Sequence, residues 1–102
     1  MNAARGEATF RVGDAELVLR PSFAALVAAE GEIGPLFALA ERASEGQLGL
    51  SEIAALFDHC SVGARPAAVT REAIGDALVT AGLVAAMPAV RTILTQVLSG
   101  RA

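Results

Sequence analysis

"EATFRVGDAELVLR", residues 7–20, decides how the rest of the chain is read. Two runs of alternating apolar and polar residues flank Gly13-Asp14. A two-residue loop with glycine first, set between such runs, predicts a β-hairpin. Folding about that loop sets Val12 against Ala15, Arg11 against Glu16, Phe10 against Leu17, Ala8 against Leu19 and Glu7 against Arg20. Both charged pairs are of opposite sign, and Phe10 meets an aliphatic partner. Cross-strand pairs of these kinds contribute roughly 0.2–1 kcal/mol each. A lone hairpin is marginal in water. This one must lean on the rest of the chain or pair with another chain through its edge.

After the hairpin the chain reads as helices, with "SVGARPAAV", residues 61–69, as the longest loop between them. Ser22 is placed to cap a first helix, with Phe23, Leu26 and Val27 as its apolar stripe and Gly31 and Gly34 at its end. Pro35 opens a second, in which Leu36, Leu39, Ala40 and Ala43 repeat at helical spacing until Gly46. Ser51 is expected to cap a third, with Glu52 in the first turn, Ile53, Leu56, Phe57 and Cys60 as the buried face, and Gly63 as the stop. Thr70 caps a fourth, with Ile74, Ala77, Leu78 and Ala81 facing inward and Gly82 breaking it. Pro88 is expected to start the last helix. There Met87, Val90, Leu94 and Val97 line one face, Ile93 and Leu98 widen it, and Gly100 ends it. The expected fold is mainly α: a small bundle of about five short helices behind an N-terminal β-hairpin. It should form one domain over residues 1–102, with the hairpin at 7–20 and the helical part at 22–99.

The bulk numbers narrow the function classes. The chain has 102 residues, 54% hydrophobic and 19% charged, and a formal net charge of -3. Mean hydropathy is +0.53, much of it from alanine, a helix former of weak hydrophobicity. The most apolar stretch, "DALVTAGLVAAMPAV", is interrupted by Thr80, Gly82 and Pro88, and it falls short of the roughly 18–20 apolar residues that a membrane span needs. "MNAARGEATF" carries no apolar leader of the secretory kind, so the expected location is the cytoplasm. One cysteine excludes an internal disulfide. Eight scattered basic residues, four phenylalanines, no tyrosine and no tryptophan argue against nucleic acid as a partner.

"FDHC", residues 57–60, sets an acid, an imidazole and a thiol in a row. On a helix, consecutive side chains do not face one another. Cys60 continues the stripe of Ile53 and Phe57, where a free cysteine behaves as a small buried hydrophobe. A zinc site needs about four ligands, and this chain has no second histidine or cysteine. Asp58, His59 and Cys60 are therefore read as structural, and Glu30, Glu32, Glu41 and Glu45 as a solvated helix face. The glycines make neither a dinucleotide fingerprint nor a phosphate loop. No enzyme, cofactor or metal is expected. "TREAIGDALVTAGL" has some character of a helix-turn-helix segment, but "VAAMPAVRTIL" behind it offers only Arg91 for base edges. A small DNA-binding regulator stands as the alternative. What remains is apolar surface beyond what a chain of this size can hide, as in a partner-binding or self-associating module. Leu83, Val84 and Met87 are the candidate contact residues, with the hairpin edge around Phe10 as the second choice.

The order of segments resembles a known family. "NAARGEATF" with its hairpin is similar to the start of proteins from gene transfer agents and tailed phages, described as tail tube or tail assembly chaperone proteins. "RPSFAALVAAEGEIG" resembles their first helix, with Leu26 and Glu30 at the expected places. "PLFALAERASEGQLGLSEIAALF" resembles the middle helices, and "VTREAIGDALVTAGLVAAMPAVRTILTQVLSG" the C-terminal pair. "DHC" is not part of the pattern. The resemblance implies phage-tail morphogenesis: an assembly chaperone, or a structural tail component, of a gene transfer agent or prophage. Its implied partners are the tape-measure protein and the tail tube protein. It implies no cofactor and no catalysis, and self-association into a homo-oligomer is expected.

Overall fold

The computed structural model describes residues 7–61 and 65–99. Among them the chain forms strands β1 (Ala8–Val12) and β2 (Ala15–Leu19), then helices α1 (Phe23–Ile33), α2 (Leu36–Ser44), α3 (Leu50–Cys60), α4 (Arg71–Ala81) and α5 (Leu83–Ser99). The mainly helical fold with its N-terminal hairpin is as expected from the sequence. So is the register: Ala8 pairs with Leu19, Phe10 with Leu17, Arg11 with Glu16 and Val12 with Ala15. Gly13 has φ +61°, the left-handed value that the first loop position demands. Glu7, buried, forms an ion pair with Arg20.

The hairpin leans on its own chain. Ala8, Phe10, Val12, Leu17 and Leu19 turn inward, while β1 packs against α4 and α5 and β2 against α3. The Phe10 and Phe57 ring centroids lie 5.1 Å apart with a 54° tilt, within the range over which aromatic pairs attract. Arg20 N donates to Cys60 O at 2.7 Å, so the end of β2 is tied to the end of α3. Helix α3 packs against both α1 and α4 and is the most deeply buried. Ile53, Leu56, Phe57 and Cys60 are all sealed from solvent, as the stripe predicted, and Ala54 and Ala55 join them.

Caps fix most helix ends. Ser22 Oγ accepts from Ala25 N at 3.2 Å, and Thr70 Oγ1 from Ala73 N at 3.1 Å. Gly46, at φ +71°, closes α2: its N–H reaches Ala43 O while Gln47 N–H reaches Arg42 O. That is the paired bond of a Schellman motif. Arg42 then clasps Glu52 through two bonds, 2.7 and 2.9 Å, and Glu52 Oε1 also accepts from Gly49 N. Gly49, not Ser51, is thus the N-cap of α3. Glu52 supplies the capping from inside the helix, so a hydroxyl at the start is not needed.

Three further expectations are corrected. Helix α1 passes through Gly31 and ends at Ile33, with Gly34 as its C-cap. Its buried side is Ala25, Leu26, Ala29 and Ile33, whereas Phe23 and Val27 point outward. The helix is apolar around most of its circumference, so periodicity could not choose a face. Small Ala25 and Ala29 are the residues on the side turned to the core. The last helix begins at Leu83, and Pro88 lies inside it. Proline removes one intrahelical bond, to the carbonyl of Val84. Val84 is 86% exposed, so water reaches that side of the helix, and burial of Ala86, Ala89 and Val90 holds it together across the proline. Gly63 and Gly100, expected as stops, lie outside the described residues. Among the described residues no single helix is long and apolar enough to cross a membrane; α1 and α2 reach that composition only together, and they are bent by 74° at their break.

Candidate functional site

The "DHC" triplet separates on folding. Cys60 turns into the core, where desolvation pushes its thiol up to about 12. At neutral pH it is a protonated, sealed side chain, not a nucleophile. Asp58 and His59 leave in other directions and enter an ion cluster that sequence spacing did not suggest. Asp58 Oδ1 accepts from Arg65 Nη2 at 2.6 Å and Oδ2 from Arg71 Nε at 3.0 Å. Arg71 continues to Glu32, holding it with two bonds of 2.7 and 2.9 Å. His59 Nε2 reaches Glu32 Oε1 at 2.8 Å. Arg65 Nη1 also donates to Ser61 Oγ at 2.7 Å.

The electrostatics follow from these bonds. Hydrogen bonds from Arg71 and then His59 hold the Glu32 carboxyl at about 2. Partial burial alone would raise Asp58, but Arg65 and Arg71 outweigh it and leave the group lowered. Arg71 is raised, chiefly by Glu32. Each carboxylate here is ionised and committed to a cation, so the cluster acts as a clasp joining α1, α3, α4 and the segment at Arg65. Glu32 lies on the exposed face expected of it but is also tied into the clasp, and Glu30, likewise exposed, accepts at Oε2 from Leu36 N at 2.9 Å at the start of α2. Among the described residues no three His, Cys, Asp or Glu side chains gather as metal ligands.

Apolar surface is the other candidate. Val84 is exposed, Leu83 is 38% exposed, and Met87 is half-buried against the core. Phe10 is different: its ring is inside, 8% exposed, so it offers no surface, and β1 turns Thr9 and Arg11 outward in its place. Val79, on the last turn of α4, is exposed as well. No charged side chain occurs between Asp76 and Arg91. An open groove of about 700 Å³ lies between the hairpin loop, residues 66–69 and α4, and Val79, Leu83, Val84 and Met87 are not among its walls. Its α4 wall is built of small residues, Ala73, Ala77, Thr80 and Ala81, with Arg11, Asp14 and Asp76 at the polar places. Sequence reasoning named the corner but not the groove, because the groove needs the hairpin placed against α4. It also missed exposed Phe23 and Phe37, which a stripe argument assigns to cores.

No curated protein and no solved structure matches the chain. A family model does, that of "Phage tail tube protein, GTA-gp10", over residues 5–100. The match spans the hairpin, all five helices of the described residues, the clasp and the apolar corner together. This chain belongs to the gene-transfer-agent gp10 family of phage tail tube proteins.

Proposed function

We propose that the protein is a tail assembly chaperone of a gene transfer agent or prophage, which binds the tape-measure protein and delivers tail tube subunits to it. The observation that carries this reading is the exposed, uncharged apolar run of Val79, Leu83 and Val84 where α4 passes into α5. An amphipathic helix laid into a groove buries its apolar face against such a surface. A long helical tape measure presents many such faces, and several weak contacts along it gain strength from effective concentration. The role needs no reacting group and no cofactor. It is carried out in the bacterial cytoplasm, where particles are built.

A DNA-binding role finds less support. Arg20, Arg42, Arg65 and Arg71 are already paired with carboxylates, so phosphate neutralisation would have to break those pairs. A co-expression pull-down tests the proposal, with the tagged protein as bait and the tape-measure and tube proteins of its own genomic neighbourhood as preys. A stable complex with the tape measure is the expected result. If both preys stay soluble and unbound, the chaperone role is wrong.

A further inference from the structure

The outer face of α1 is not explained by the fold or by the proposed role. Phe23, Ala24, Val27, Ala28 and Gly31 are all exposed. At about 100° per residue they fall within about 140° of the helix circumference. Phe23 is 85% and Val27 49% exposed. The two acidic residues of the helix, Glu30 and Glu32, lie at the margins of this face, and both are held by other elements. Gly31 stands near its centre. It does not have a positive φ, and a Cβ there would meet nothing within 4 Å. Nothing inside the chain requires glycine at this point, and glycine is a poor helix former. Glycine is suited to a place where another chain approaches the backbone closely.

We propose that a second copy of this chain docks here, α1 against α1, antiparallel about a two-fold axis near Val27. The size pattern is self-complementary. Phe23 and Gly31 each lie four residues from Val27, so in an antiparallel pair Phe23 of one copy falls opposite Gly31 of the other. The largest side chain of the face meets the position with none, and the symmetry makes that contact twice. Charge agrees at one place: Glu30, which accepts from Leu36 N but pairs with no cation among the described residues, lies beside the positive N-terminal end of the other helix. A buried aromatic side chain covers roughly 150–250 Å². Two Phe23 rings supply roughly 300–500 Å², and the half-exposed Val27 pair and the alanine–glycine floor add to it, which leaves the total below the about 1,000 Å² of a stable specific interface. That area fits a reversible dimer of modest affinity. The face is on α1, away in sequence from the α4–α5 corner, so the dimer stands or falls independently of the chaperone reading.

Sedimentation velocity from low to several hundred micromolar tests it. Wild type is expected to pass from monomer to dimer over that range. Gly31→Leu, whose Cβ meets nothing within 4 Å in its own chain, and Phe23→Ala are each expected to weaken the dimer at least about tenfold while circular dichroism and Tm show an intact fold. Val27→Cys is expected to give a disulfide-linked dimer under mild oxidation, because the two residues meet on the axis; native Cys60 is buried and supplies no competing thiol. Val79→Cys, on another face, is the control. A wild type that stays monomeric throughout would overturn the proposal. So would a dimer indifferent to Gly31→Leu, or equal cross-linking of the two cysteine variants. Loss of tape-measure binding by Phe23→Ala in a protein that never dimerises would assign the face to a partner helix instead.

Discussion

Arg71 on α4 grips Glu32 on α1 with two hydrogen bonds, and with its Nε it also holds Asp58 on α3. One guanidinium thus joins three helices, a use of the planar donor fork that lysine cannot copy.

Stability should consequently fall in acid by way of Glu32. Its carboxyl is lowered from 4.5 to about 2 in the folded protein. A depressed carboxylate contributes stability above its unfolded value and loses it as pH falls through the folded one. The decline is therefore expected from about pH 4.5 down to about pH 2, with Asp58, also lowered, acting in the same direction. Glu32→Gln should flatten that part of the Tm-against-pH curve. Because Glu32 is exposed, the difference should shrink in high salt. An unchanged acid limb in Glu32→Gln would show that the clasp is not formed in solution.

Phe57 and Phe10 should behave as core residues. Phe57→Ala removes a fully buried ring and is expected to cost about 3–5 kcal/mol in denaturant unfolding. Phe10→Ala should fall toward the lower end of that range. A near-neutral Phe10→Ala would mean that the hairpin does not pack on its own helices.

Pro88→Ala should stabilise the protein. A proline inside a helix costs about 3 kcal/mol relative to alanine, but Val84 already lies open to water, so a gain of about 1–2 kcal/mol is expected. Urea midpoints of the two proteins measure it directly. Loss of stability would indicate that a bend at Pro88 is needed for packing.

Cys60 should resist thiol reagents in the native protein at pH 8 and react on unfolding, since burial pushes it up to about 12. Cys60→Ser places a hydroxyl in the same sealed site and should cost about 1–3 kcal/mol. Rapid native labelling would contradict the buried placement.

The parts of the fold that were legible in the sequence are those governed by local chemistry. Alternation about Gly13-Asp14 fixed the hairpin register, and Ser22 and Thr70 marked two helix starts by their caps. Pro88 misled because a local rule was overridden by burial on both sides of it. The outward face of α1 was hidden because a helix with phenylalanine, valine, leucine and alanine on most sides has no polar face to orient it. The clasp was hidden for another reason: Glu32 and Arg71 are 39 residues apart, and only the packing of α1 and α4 about α3 brings them together. Of the apolar corner, the sequence supplied the residues Leu83 and Val84. The groove along α4 depends on tertiary placement of the hairpin.

The most direct test of the assembly role is tape-measure solubility on co-expression, compared between wild type and Val84→Asp. Val84 is exposed, so the variant should fold as wild type does. Wild type is expected to keep the tape measure in the soluble fraction as a complex, and Val84→Asp to release it to the pellet. Equal solubility with both proteins would remove the α4–α5 corner from the account, and equal insolubility with both would remove the chaperone role itself.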